Sequence, residues 1–509
     1  FGSSHGVPDR DLTSLAPRKC RLQALQAMMG GQSASVTRTR IFRRFRLRSR
    51  FLPPGLLSER NVTLSLMLAV LGALSATIAH GQIFSAFIYE LFGDNKSVGF
   101  IESASGLMSF LSALPVGFAV DAFSRTRLLR FSSYLGLFAA ALGAAAVALG
   151  PSAAYNRATG THQTPGVFFK FTLLLSLALW GVFTNMWTSA SAALFADSVP
   201  DGVTRRELYA TKSTLTLATL SAGPLIALGC TAAFGNHWNL QHMVWMILPG
   251  FAVVFPMCVL TSAFEEVGLP SSVPQSDAKE KLETKPARRD HMQQPGAWAV
   301  PYLLMAGEIV TAIGAGMTVK FFGLWFKNDH NFSPAALSAL QAATPLAIMA
   351  AVQALQRAAK ACPFGPVPAV LAAWMGSIIT LLAMAQVKDI RVLTTLHLLR
   401  AALANCKEPI AKAILADFIP SERRGRWNAA HSISSVTWTG SAALGGILCD
   451  RYGYGRTFIL TSGLYVAAAL CWVPLMYWVR AEPAEADVPV QTKKAEAVED
   501  AAEGKVKGA

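Results

Sequence analysis

Charged residues are scarce in this sequence of 509 residues. Asp, Glu, Lys and Arg make up 15% of it, hydrophobic residues make up 52%, and the mean hydropathy is +0.38. Soluble domains usually carry about 25% charged residues. This shortage excludes an ordinary soluble globular protein and indicates a membrane protein.

Recognisable sites for metals, nucleotides and covalent catalysis are also missing. The seven cysteines are scattered, with neither disulfide nor metal-ligand spacing. The sequence has no Walker loop for ATP and no convincing His/Asp/Glu metal set, Ser-Lys pair or pair of aspartates. We therefore predict no metal, no cofactor and no enzymatic activity.

Long apolar runs dominate what is present. A transmembrane helix needs about 20 apolar residues to cross a hydrocarbon core of ~30 Å, and the sequence predicts twelve such helices in two sets of six. The first set spans roughly residues 62–88, 98–120, 128–149, 167–196, 207–231 and 241–263. The second set spans roughly residues 297–326, 334–356, 367–387, 391–416, 427–449 and 456–479. The predicted fold class is an all-α membrane protein built from two pseudo-symmetric six-helix bundles.

Polar segments flank and separate the two sets of helices. We expect a basic N-terminal tail (1–60), an N-terminal bundle (61–263), a flexible linker (264–296), a C-terminal bundle (297–480) and a disordered C-terminal tail (481–509). The start of the chain is rich in Arg and poor in acidic residues. That composition is compatible with a targeting segment as well as with a disordered tail.

The basic residues predict the orientation in the membrane. The chain has 45 Lys and Arg against 30 Asp and Glu, and most of the basic residues fall in the two tails, the linker and the loops on the same side. The opposite loops hold only Lys96, Arg157, Lys327, Lys388, Arg391, Arg451 and Arg456. Because positive charge is retained on the cytosolic side, we expect both termini to be cytosolic. The basic excess is then explained by topology and by anionic lipid, so no nucleic-acid partner is predicted.

Internal repeats relate the two halves. The segment ALFADSVPDGVTRRELY, which begins at Ala193, matches AILADFIPSERRGRW, which begins at Ala413. The first helices of the halves also align, in the pairs Gly72/Gly307, Ile78/Ile313, Gly81/Gly316, Phe87/Phe322 and Asp94/Asp329. Two six-helix halves in parallel order form a pseudo-symmetric pair with an interface between them.

Together with the loop GFAVDAFSRTRLLR after the second helix, these repeats resemble the major facilitator superfamily of secondary transporters, over about residues 60–480. Gly117, Asp121 and Arg125 fit the family's loop signature, whereas Ala122 and Ser124 depart from it. The resemblance implies alternating access and a cytosolic gate at this loop. We expect the gate residues to be Gly117, Asp121, Arg125, Asp197, Arg205, Asp417 and Arg423. The similar segment GGILCDRYGYGR (445–456) lies in the last external loop, and we interpret it as a tight turn.

Charges interrupt the predicted tenth helix, LLRAALANCKEPIAKAILADFIP (398–420). Arg400, Lys407 and Glu408 recur at helical spacing on one face. A charge at the bilayer centre costs about 2.5–3.5 kcal/mol on insertion scales, so this face is expected to line a water-filled cavity. Pro409 cannot donate its backbone bond and should disturb the helix there.

Depth suggests a partner for one of these charges. With a rise of ~1.5 Å per residue, Glu308 and Arg400 both reach the midplane, and we expect them to pair. The pair is either structural, or Arg400 binds a substrate anion while Glu308 acts as its counter-charge or as a proton carrier. Lys407 and Glu408 could form a second exchangeable set.

The facing wall, from the N-terminal half, looks aromatic and hydroxyl-bearing, without formal charge. Its candidate residues are His80, Gln82, Trp180 and Trp187. The tryptophans also suit simple packing, and His80 also suits a hydrogen bond to a neighbour.

We therefore predict a monomeric secondary active transporter in the lipid bilayer. The small-molecule substrate would be an organic solute, anionic or zwitterionic, with a flat or apolar body, and protons are a candidate coupling ion. The alternatives are a lipid or lysolipid mover of the same fold and a non-transporting receptor or scaffold.

Overall fold

The computed structural model describes residues 60–156, 161–199, 203–265, 295–419 and 424–479. The predicted tails and most of the predicted linker lie outside these ranges. The described chain is helical throughout, apart from loops and two short antiparallel strands, β1 (Tyr155–Asn156) and β2 (Thr161–His162).

The helices form twelve spans, as predicted. The first six are α1 (Arg60–Ala79) with α2 (Gln82–Phe92), α3 (Asn95–Ala122), α4 (Arg125–Ala153), α5 (Val167–Ser198), α6 (Val203–Phe234), and α7 (Leu240–Ala252) with α8 (Val254–Thr261). The seventh to ninth are α9 (Ala299–Thr318) with a 3-10 turn (Val319–Phe321) and α10 (Phe322–His330), α11 (Pro334–Ala361), and α12 (Pro366–Met384). The last three are α13 (Ile390–Asn405) with α14 (Glu408–Phe418), α15 (Arg424–Tyr452), and α16 (Tyr454–Trp472) with α17 (Leu475–Trp478).

Ten of these spans, counted over the described residues, are long and apolar enough to cross a membrane by length and composition. The chain is an integral multi-pass membrane protein. The tenth span is not among the ten because its two helices, of 16 and 11 residues, are each short. The eleventh, α15, is long but rich in Ser, Thr and Gly. It packs along α3 and α9, so neighbouring helices cover much of its polar surface.

Consecutive spans alternate in direction, which gives the molecule two ends. The linker end is the end at which residues 265 and 295 lie, together with the short loops after Ala122 and Ala361. The distal end is the opposite one, with the loops after Phe92, His330 and Tyr452.

Four spans are broken near their middle, and one of them is the sixth, at Val253 between α7 and α8. The first is interrupted at His80 and Gly81, and the seventh by the 3-10 turn. The tenth is interrupted at Cys406 and Lys407, just before Pro409, where we predicted a disturbed helix. Irregular backbone at this depth is tolerated where it is buried in protein or lines a cavity. These breaks therefore mark the interior of the molecule.

The two halves meet closely along α3 and α15, and also along α6 and α11. Small residues allow the first contact. A Cβ atom added at Gly446 would meet the carbonyl oxygen of Asn95, and one added at Gly99 would meet the carbonyl oxygen of Ala442. Glycine lets helix backbones approach in a membrane, where the hydrophobic effect does not drive helices together. These glycines thus fix the distance between the halves.

Candidate functional site

A cavity of about 210 Å³ lies between the two halves. The N-terminal half supplies most of its lining, from the break after α1 and from α2, α3 and α5, and the C-terminal half contributes side chains from the 3-10 turn and from α15. The lining residues are His80, Phe84, Glu102, Ser105, Gly106, Ser109, Leu177, Trp180, Thr184, Lys320, Trp438 and Thr439. Because both halves contribute, any relative movement of the halves changes this cavity.

An ion pair between the halves forms part of the cavity wall. Lys320 of the 3-10 turn contacts the Oε2 atom of Glu102 on α3, and Ser85 donates a hydrogen bond to the Oε1 atom of the same carboxylate. Glu102 is 5% exposed. The ammonium of Lys320 also lies 5.6 Å from the ring centroid of Trp438. Both oxygens of the Glu102 side chain therefore have polar partners in an apolar setting.

His80 and Trp180, two predicted site residues, lie together in the cavity wall. Their ring centroids are 4.5 Å apart, and the His80 ring also packs edge-on against Phe84 and Phe251. The Nε2 atom of His80 is buried and has no hydrogen-bond partner among the described residues. Buried polar atoms are usually satisfied, so this nitrogen is an exception in the wall of the cavity.

Our prediction of an N-terminal wall without formal charge is wrong, because Glu102 supplies one. Sequence reasoning missed both Glu102 and Lys320, although each lies inside a predicted span. At ~1.5 Å per residue they lie about 10 Å and about 15 Å from the distal ends of their spans. The rule that charges inside membrane spans are functional candidates points to them as readily as to Arg400.

Gln82 and Trp187 lie elsewhere at the interior. The side-chain amide of Gln82 donates a hydrogen bond to the backbone carbonyl of Val319 across the two halves (3.1 Å). The ring of Trp187 fills the space beside Gly72, where an added Cβ would collide with it. Neither residue is in the lining of the 210 Å³ cavity, and Trp187 packs between helices.

The predicted ion pair between Arg400 and Glu308 is not the one the structure forms. Glu308 pairs instead with Lys407, with 2.7 Å between Nζ and Oε1. Arg400 is 4% exposed, donates a hydrogen bond to the hydroxyl of Tyr465 (3.0 Å), and lies 4.8 Å from the ring centroid of Phe322. Depth along the helices does not determine which of two basic residues faces Glu308.

The predicted common face of Lys407 and Glu408 is also corrected. The side chain of Lys407 is 7% exposed and lies beside the rings of Trp374 and Trp472, with its Nζ atom 4.2 and 5.5 Å from their centroids. Glu408 is exposed and pairs with Lys412 (2.7 Å). The helix break at Cys406 and Lys407 interrupts the regular periodicity, so the two neighbours do not belong to one continuous face.

At the linker end, Arg125 forms an ion pair with Asp197 and donates a hydrogen bond to the carbonyl of Ala193 (3.4 Å). Two expected gate residues are thereby brought together, within one half. Gly117 is in α3, and an added Cβ there would meet no atom within 4 Å. Asp417 is exposed. The side chains of Asp121 and Arg205 and the whole of Arg423 lie outside the described residues.

At the distal end, the turn after α15 does more than reverse the chain. Gly453 has a φ of 80°, which fits the predicted tight turn. In addition, the carboxylate of Asp450 accepts hydrogen bonds from the backbone N–H groups of Asn95 and Lys96 (3.0 and 2.8 Å) and from the Asn95 side chain (2.8 Å). The hydroxyl of Tyr454 donates to the Asn95 side chain (2.7 Å). A carboxylate at a helix N-terminus is stabilised by the helix dipole, so this cluster ties α3 to the other half.

Further contacts join the halves on the same side. Lys327 pairs with Glu90, and the indole of Trp238 donates a hydrogen bond to the carbonyl of Phe332 (2.7 Å). Where both partners are described, every hydrogen bond and ion pair between the halves lies at the distal end or between it and the Glu102–Lys320 pair. The halves are therefore fastened on the distal side of the cavity.

Comparison with solved structures shows which known fold this arrangement of helices has. Across 81% of the chain and 97% of the other protein, it superimposes on a D-xylose-proton symporter with a TM-score of 0.61 at 12% sequence identity. The chain has the fold of the major facilitator superfamily. A bacterial homologue of the iron transporter ferroportin, in an inward-facing state, matches with a TM-score of 0.58 at 15% identity, covering 82% of this chain and 98% of that one.

The human organic anion transporter TETRAN matches with a TM-score of 0.54 at 16% identity, covering 83% of this chain and 100% of that one. No protein-family model and no curated protein sequence matches the chain. The similarity thus resides in the fold, the arrangement of the helices.

Proposed function

We propose that the protein is a secondary active transporter that moves a small organic solute by alternating access. The observation that carries this proposal is the cavity between the two halves, lined by Glu102 and His80 on one side and Lys320 on the other. A site shared between two half-molecules becomes accessible from either side of a membrane when the halves rock against each other.

The arrangement of contacts supports a state that is closed at the distal end. The cluster around Asp450 and the Lys327–Glu90 pair hold the halves together there. In alternating access these contacts break when the distal end opens, and the gate around Asp121, Arg125 and Asp197 takes over at the linker end.

For the orientation, we propose that the linker end faces the cytosol, because the loops and tails on that side carry most of the basic residues. Both termini are then cytosolic. The distal end faces the outside of the cell or the lumen of an organelle. Tags at the two termini that are accessible in intact cells or sealed vesicles would contradict this orientation.

The charges of the C-terminal half form a second part of the proposed mechanism. The carboxylate of Glu308 is 31% exposed, whereas its partner Lys407 is buried. A partly exposed carboxylate beside a buried ammonium can exchange a proton with water while the ammonium adjusts its contacts. We assign Glu308 and Lys407 to coupling, and Arg400 to the support of this half through Tyr465 and Phe322.

Uptake into sealed vesicles tests the proposal. The purified full-length chain is reconstituted into proteoliposomes and offered a broad panel of labelled sugars, nucleosides, amino acids and organic acids, with and without a pH gradient. We expect uptake of at least one solute above that of protein-free vesicles. We also expect at least a tenfold loss in the Lys320→Met variant and none in Lys388→Met, which changes an exposed distal lysine. Absence of uptake across the panel by folded protein would remove the transporter assignment.

A further inference from the structure

We propose that the cavity binds a small zwitterion, a molecule that carries an ammonium and a carboxylate on a compact apolar or aromatic body. The inference rests on the proposed transport function and names the substrate class of the same site. It starts from the ion pair between Glu102 and Lys320, whose members belong to different halves of the molecule.

Separation of the halves on the distal side pulls Lys320 away from Glu102. Each charge is then left without its partner in an apolar interior, which is strongly unfavourable. A ligand that carries both charges compensates for this loss, because its ammonium replaces Lys320 at Glu102 while its carboxylate replaces Glu102 at Lys320. A simple cation satisfies Glu102 alone, and a simple anion satisfies Lys320 alone. The pair therefore selects a solute with both charges.

The geometry of Glu102 supports its role as the ammonium site. Ser85 donates to its Oε1 atom and Lys320 contacts its Oε2 atom, so the carboxylate keeps one hydrogen bond when the lysine leaves. Ser85 aligns with Lys320 at the same offset that relates Gly72 to Gly307. The two equivalent first-helix positions thus both contact one carboxylate, and one of the two contacts breaks when the halves move.

The remaining walls favour a flat or apolar body. Trp180 from the N-terminal half and Trp438 from the C-terminal half both line the cavity, and Phe84 lies beside them. The imidazole of His80 also lines the cavity, and its buried Nε2 atom has no partner within the described ranges. The volume of about 210 Å³ is below the ~300–1,000 Å³ of pockets for drug-sized ligands. The cavity consequently suits a solute of amino-acid size.

Matched ligands that differ in charge test the inference. Binding of L-tryptophan, tryptamine, indole-3-propionate and D-xylose is measured on the purified full-length chain by isothermal titration calorimetry. We expect L-tryptophan to bind at least tenfold more tightly than tryptamine or indole-3-propionate, since each analogue lacks one of the two charges. L-Leucine, a zwitterion without a ring, tests whether the charges or the aromatic body matter more.

Two variants assign the charges to their partners. Glu102→Gln is expected to abolish the advantage of L-tryptophan over indole-3-propionate, because the ammonium loses its partner. Lys320→Met is expected to abolish the advantage over tryptamine. Glu265→Gln and Lys388→Met are matched controls on exposed residues and should preserve both preferences. If either variant fails to fold, Glu102→Asp and Lys320→Arg keep the charges and should retain the preference for zwitterions at reduced affinity.

The possible results separate this inference from the transporter assignment. If both variants weaken all four ligands equally, or if neither zwitterion binds better than the singly charged analogues, the ion pair is structural and the zwitterion proposal is overturned. Uptake of a neutral or singly charged solute by the same preparation would leave the transporter assignment standing. Uptake of no solute at all would contradict the transporter assignment itself.

Discussion

Removing one member of the buried pair between Lys407 and Glu308 should destabilise the protein unequally, depending on which member is removed. Glu308→Leu leaves the ammonium of Lys407, 7% exposed, without a carboxylate. Stranding a buried charge costs about 3–5 kcal/mol. The rings of Trp374 and Trp472 remain beside it and offset roughly 0.5–2 kcal/mol through cation–π interaction. The expected net loss is about 2–3 kcal/mol.

Lys407→Met leaves Glu308, which is 31% exposed and therefore partly hydrated. The loss of stability in this variant should be smaller, about 1 kcal/mol, because exposed ion pairs contribute only ~0–1 kcal/mol. When Glu308→Leu and Lys407→Met are combined, no stranded charge remains, and the stability of this double variant should be close to that of the unmodified protein. Residues in contact typically show coupling energies of about 0.5–3 kcal/mol in such a cycle.

The assay is the apparent midpoint of thermal unfolding of each purified variant in one detergent, followed by tryptophan fluorescence. The expected order of stability is the unmodified protein, the double variant, Lys407→Met and, lowest, Glu308→Leu. Arg400→Leu combined with Glu308→Leu serves as the matched control, because Arg400 bonds Tyr465 rather than Glu308. Rescue of Glu308→Leu by Arg400→Leu, and not by Lys407→Met, would refute the pairing derived from the structure.

Three further predictions concern the movement of the two halves and the contacts between them. Asp121→Asn should slow solute exchange in vesicles without lowering expression or the unfolding midpoint, and unchanged exchange would remove Asp121 from the gate. Asp450→Ala removes three hydrogen bonds that cross between the halves. Spin labels at Gln163 and Lys388, both at the distal end, should then show a larger fraction of long distances by double electron–electron resonance. An unchanged distance distribution would mean that the cluster does not hold the distal end closed. Gly446→Leu should lower the unfolding midpoint by several degrees, because its side chain would meet the carbonyl of Asn95, whereas Gly463→Leu, at a position with open space, should change it little.

The fold could be predicted from the sequence because a bilayer imposes simple physical demands. A segment that crosses it must be helical and mostly apolar, and this requirement identified all twelve spans. The eleventh span does not qualify by length and composition, but ILADFIP before it repeats LFADSVP of the first half. The helix break near Pro409 followed from proline's missing N–H group.

The candidate site was predicted less completely, since side-chain pairing depends on helix rotation. Sequence reasoning singled out charges inside spans, and the structure brings two of its other candidates, His80 and Trp180, into contact. It paired Glu308 with Arg400 because both reach the same depth. A helix turns ~100° per residue, so an error of one residue in register, or one break such as that at Cys406, redirects every following side chain.

The missed residues reveal how the charges are organised. The charges form two distinct sets: Glu102 and Lys320 join the halves, whereas Lys407 and Glu308 lie within the C-terminal half. A pair between halves must break when they separate, but a pair within one half moves as a unit. The contact within the first set can therefore differ between the two states of the distal end, whereas the contact within the second set can persist while the halves move. The two ion pairs are similarly buried. What distinguishes them is whether the two partners lie on the same half of the molecule.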